Sequence, residues 1–83
     1  MDYERMMEAA VNSMMNVIRS DIDLYTWFVN YTPSDSTGYM FDRHPNVARI
    51  STLVNSDGHS GASFGTCMRI CKQRLRQAQL LKQ

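Results

Sequence analysis

Between Ser56 and Gly65 the chain reads SDGHSGASFG, a stretch that gathers its most distinctive chemical groups. Within it, Gly58-His59-Ser60-Gly61-Ala62 has the outline of the G-x-S-x-G nucleophile elbow, with Ser60 as the attacking group. That elbow needs a strand before it, a large sheet beneath it and a histidine base later in the chain. The histidines are His44 and His59, so neither follows Ser60, and Ala62 stands where the last glycine belongs. The segment ahead of the string also reads as a helix. Serine hydrolysis does not fit.

Metal chemistry fits no better. Cys67, Cys71, His44 and His59 are ligand types for zinc, but no C-x-x-C or H-x-x-x-H pair occurs. There is no G-x-x-x-x-G-K-[ST] phosphate loop. No two carboxylates stand out as an acid and a base, since every acidic residue except Asp57 lies in the first half. The expectation is therefore a non-enzymatic protein without metal or cofactor.

What the string does offer is the physics of an anion site. With Ser60 as N-cap, the amides of Gly61, Ala62 and Ser63 have no intrahelical partner and lie at the positive end of a helix dipole. The candidate ligand set is Gly58, His59, Ser60, Gly61 and Ser63, with Arg69 and basic residues of a neighbouring subunit balancing charge and Trp27 or Tyr39 stacking on a base. A purely structural reading stands beside it. Asp57-Gly58 makes a turn, Ser60 caps the helix, and Gly61 and Gly65 let another helix approach. The two readings are compatible.

Four helices must position these groups. Residues 2–19 carry Tyr3, Met7, Ala10, Met14 and Val17/Ile18 at helical spacing, without internal glycine or proline. Residues 20–30 alternate like a strand in part, yet Ile18, Ile22, Tyr25, Phe28 and Val29 continue the helical stripe. Ser20 with Asp23 can cap a helix there, and Pro33 ends it. A long loop follows, and Tyr39, Met40 and Phe41 within it are apolar enough to pin it to the core. Pro45 suits a helix's first turn, and Val47, Ile50, Leu53 and Val54 give residues 45–55 an apolar face. The last helix spans about 60–81. Phe64, Cys67, Met68, Cys71, Leu75 and Ala78 line one side, and Arg69, Lys72 and Arg76 the other. The fold expected is a single all-α domain, a compact bundle of about four helices with its long loop between the second and third.

Composition bounds the rest. At 83 residues there is one small core, and seven methionines are many for it. A methionine-rich stripe on so small a domain suggests a homo-oligomer. No run approaches the roughly 20 apolar residues of a membrane span, and the N-terminus lacks the order of a signal peptide. Two cysteines four apart on a helix should be reduced, buried thiols in an intracellular protein. Charge is divided: residues 1–42 are acidic, with Arg5 and Arg19 against seven carboxylates. Residues 43–83 carry seven cations against Asp57. Either the halves face each other, or the basic half meets an anionic partner.

The string Gly58-His59-Ser60-Gly61-x-Ser63 before a helix resembles a motif in small accessory proteins of tailed bacteriophages. The resemblance covers about a quarter of the chain and implies a phage origin and residence in the cytoplasm of a bacterial host. Proteins of that kind often counter host defences, by inhibiting a host protein or sequestering a nucleotide signal. The leading expectation is thus a phage accessory protein that binds a phosphate-bearing small molecule. Two alternatives compete. One is a helix-turn-helix-like module that grips nucleic acid with the basic last helix. The other is a protein-only inhibitor that docks on a host enzyme through the 32–44 loop.

Overall fold

The computed structural model describes residues 2–33, 44–56 and 64–81 of the chain. They form four helices and no strand: α1 (Tyr3–Arg19), α2 (Ile22–Asn30), α3 (Pro45–Ser56) and α4 (Phe64–Leu81). The expected start of α4 near Ser60 lies outside the described residues, as do the Tyr39-Met40-Phe41 group and the Val54 side chain. The order and class match the periodicity of the sequence. Residues 22–30, where strand and helix patterns competed, are helical.

α1 is the spine. Its 17 residues run about 25 Å, and α2, α3 and α4 all pack against it. Asp2 starts it by accepting the Glu4 amide at 3.0 Å. Its apolar stripe of Ala10, Val11, Met14, Met15 and Ile18 is buried, whereas Tyr3, one turn beyond the packed region, is exposed. Phe28 and Leu24 from α2, Val47 and Ile50 from α3, and Cys67, Met68, Cys71 and Leu75 from α4 complete one core. Met14 and Met68 are fully buried and Met15 nearly so. These three methionines are thus covered within one chain, while Met6 and Met7 are half-buried.

The α1–α2 junction differs from its expected form. Asp21, not Ser20, caps α2: its Oδ1 accepts the amides of Asp23 at 3.0 Å and Leu24 at 3.1 Å. Asp21 is the residue in extended conformation, as an N-cap must be, while Ser20 stays helical. The Ser20 hydroxyl instead donates back to the Val17 carbonyl at 2.7 Å. Because the helix restarts at Asp21, the phase of α2 is not that of α1. Its buried face is Leu24, Phe28 and Val29. Ile22, expected in the stripe, is 73% exposed.

Ion pairs answer part of the charge division. Arg74 of α4 holds Glu8 of α1 through two parallel hydrogen bonds of 2.8 and 3.0 Å. Arg49 of α3 reaches Asp21 at 3.2 Å. The basic half of the chain therefore folds onto the acidic half. No described helix is long and apolar enough to cross a membrane.

Candidate functional site

Two cations on α4 are not on a free polar face. Lys72 follows Met68 by four residues and precedes Leu75 by three, so helical geometry turns it toward the apolar stripe. It is buried, and its ammonium donates to the Tyr31 carbonyl. One turn on, the Arg76 Nε donates to the Val29 carbonyl at 2.8 Å. The last carbonyls of a helix lack intrahelical partners and carry its negative dipole end, so cations are favoured there. Lys72 and Arg76 thus bind α4 to the C-terminal end of α2. Burial, assisted by the charge of Arg76, pulls the Lys72 ammonium below the ordinary lysine range.

A backbone carbonyl carries no net charge, so the bond to Val29 leaves the positive charge of Arg76 in place. Arg76 uses one donor on Val29, and its two Nη groups have no partner among the described residues. It lies in an open groove of about 380 Å³ lined by Thr32, Arg69, Lys72, Gln73 and Arg76. Arg69, Lys72 and Arg76 recur at three- and four-residue spacing, which sets them along one side of α4. A hydroxyl, a carboxamide and three cations make this groove suited to an oxyanion, with Arg76 presenting two N–H-bearing nitrogens from a fixed position.

The same guanidinium lines a second groove of about 310 Å³ with Val29, Asn30, Gln79 and Leu80. There the Asn30 Nδ2 donates to the Thr26 carbonyl at 2.9 Å.

Beside the α2 terminus, Trp27 stacks on Tyr31, with centroids 4.4 Å apart, and on His44, at 4.5 Å. Tyr31 and His44 are themselves 5.4 Å apart. Rings on opposite faces of the indole would be separated by nearly the sum of the first two distances. Both therefore cover the same side of Trp27. The His44 Nδ1 also accepts the Asn46 amide at 3.1 Å, so this side chain caps α3. Of the metal-ligand types in the sequence, His44 serves as a cap and ring partner and Cys67 and Cys71 are buried free thiols, while His59 lies outside the described residues. Cys67 touches the Met7 sulfur at 3.8 Å. Burial pushes Cys71 up to about 12, against a weaker pull from Arg19 and Arg74, and raises Cys67 as well. Burial thus favours the neutral thiol at both positions.

Of the residues that the sequence suggested for a ligand, Arg69 lines the basic groove, and Trp27 is part of the aromatic stack. Tyr31 connects the two places, because its ring meets Trp27 while its carbonyl holds Lys72. Gly58, His59, Ser60, Gly61, Ser63 and Tyr39 lie outside the described residues. No described helix makes the close approach expected at Gly65, where a Cβ would meet no described atom within 4 Å, and Gly61 lies outside the described residues. Thr32, Lys72, Gln73 and Arg76 were not singled out as site residues. The available signal was the Lys72/Arg76 spacing together with a helix end just ahead of Pro33.

Protein-family models, curated proteins and solved structures give no match to this chain.

Proposed function

We propose that this protein is a small non-enzymatic binder that holds the phosphate of a small molecule in the basic groove of α4. The observation that carries the reading is Arg76. Its Nε is tied to the Val29 carbonyl while both Nη groups are left to the groove it shares with Lys72 and Arg69. A guanidinium fixed in this way loses little conformational entropy on binding and matches two phosphate oxygens at once. Lys72 and Arg69 add charge, and Thr32 and Gln73 add neutral donors. The sequence reading adds the amides and hydroxyls of Gly58–Ser63, which lie outside the described residues, as further candidate contacts.

The resemblance of that string to phage accessory proteins supplies the cellular setting. In a bacterial host such a binder would withdraw a phosphate-bearing defence signal without chemistry. The groove is lined from one chain, so association of copies is a separate matter that light scattering decides.

Calorimetry of the whole chain with inorganic phosphate, sugar phosphates and nucleotides tests the reading. Saturable heat, lost by tenfold or more in Arg76→Gln, is expected. Flat titrations with folded protein would sink it. The nucleic-acid alternative has less support. α3 and α4 pack on α1 more than on each other, unlike a helix-turn-helix pair. Arg49 and Arg74 are held by carboxylates.

A further inference from the structure

Arg76 stands in the wall between two grooves, and the second is chemically unlike the first. The basic groove is built for an anion. Among the described residues, the groove of Val29, Asn30, Gln79 and Leu80 contains no charged group other than Arg76 itself. It offers two carboxamides and an apolar surface, with Leu80 69% exposed. Asn30 spends one N–H on the Thr26 carbonyl, which fixes its amide. Its Oδ1 and remaining N–H, and the whole Gln79 amide, have no partner among the described residues.

A carboxamide places a donor beside an acceptor, the pattern that matches the edge of a nucleobase. A guanidinium plane and a leucine side chain give a flat ring something to lie against. Each groove alone is near the lower end of the roughly 300–1,000 Å³ of small-molecule sites. Arg76 joins them, so one ligand can use both. Resting on the phosphate reading above, we infer that the ligand is a nucleotide. Its phosphate lies against Arg69, Lys72 and the Arg76 Nη groups, and its base is read by Asn30 and Gln79 across Leu80. A sugar phosphate would fill only the basic groove.

The test is calorimetry of the whole chain with nucleoside monophosphates and linear and cyclic dinucleotides, beside ribose 5-phosphate and inorganic phosphate. At least one nucleotide should bind tenfold or more tighter than ribose 5-phosphate. Gln79→Leu, a change at an exposed position, should remove that preference and leave ribose 5-phosphate binding within twofold. Equal binding of nucleotides and ribose 5-phosphate overturns the base groove while the phosphate reading stands. A preference that survives Gln79→Leu together with Asn30→Ala overturns it too. Absence of binding by every probe defeats the phosphate reading itself and this inference with it.

Discussion

The ammonium of Lys72 in α4 donates to the carbonyl of Tyr31, 41 residues earlier in the chain. This bond, with that of Arg76 to Val29, ties α4 to the C-terminal end of α2. It makes a structural strut of a residue whose type suggests a solvated position. Lys72→Met should keep the aliphatic packing and remove the Lys72 bond to the Tyr31 carbonyl. The expected loss is about 1–3 kcal/mol in urea unfolding, with an unchanged denaturant slope. Arg76→Met should cost less, because Arg76 is exposed and water can replace it. Equal stability of Lys72→Met and the parent would mean that the strut carries no weight.

Asp21 does two jobs with its two oxygens, capping α2 with one and meeting Arg49 with the other. Its carboxyl is held below the ordinary aspartate range, chiefly by the Leu24 amide, with Arg49 and the Asp23 amide assisting. A depressed folded-state pKa gives stability that is complete above the unfolded value of about 3.9 and is lost as pH falls through the folded one. Asp21→Asn keeps a capping oxygen and gives up the charge. Its unfolding profile should flatten in the acid limb below about pH 4. Asp21→Ala should be the less stable of the two at neutral pH. Superimposable acid limbs for Asp21→Asn and the parent would remove the linkage.

Cys67 and Cys71 give a reactivity prediction. With Cys71 raised to about 12 and Cys67 also raised, the thiolate is scarce at pH 8. Titration with a disulfide reagent should run at least ~100-fold slower in the folded protein than in urea. The sign of the stability effect follows the raised value. The contribution of Cys71 is complete below the unfolded thiol value of about 8.5 and declines as pH rises toward about 12. Rapid labelling of both thiols under native conditions would contradict this burial.

Gly65 is free for substitution. It is helical, and a Cβ would meet no described atom within 4 Å. Gly65→Ala should raise stability by up to about 1 kcal/mol, visible as a higher midpoint in thermal unfolding. A drop would mean that something close to this position needs the glycine.

The helical class and the core were legible because α1 and α4 repeat apolar residues at one face over four turns or more, a pattern no strand sustains. Cys67, Met68, Cys71 and Leu75 were placed in the core from spacing alone. What spacing could not supply was phase and partner. Ser20 and Asp21 are both good capping residues, and only the backbone angles decide between them. Ile22 fits the stripe of a continuous helix and leaves it once the helix restarts. Lys72 reads as polar from its type, and its role depends on where the end of α2 comes to rest. Arg76 is likewise one of several basic residues until its Nε is seen on Val29. The distinctive glycine-serine string had the loudest sequence signal, while the groove that the described residues form is made from ordinary lysine, arginine and amide positions.

The contact between Tyr31 and His44 has a consequence for how this chain can vary. Their rings meet at 5.4 Å on either side of residues 32–43, and both rest on Trp27. Closure of that stretch is thus secured by side chains outside it. Variation at any one of these three rings therefore acts on the end of α2 and on the N-cap of α3 at once.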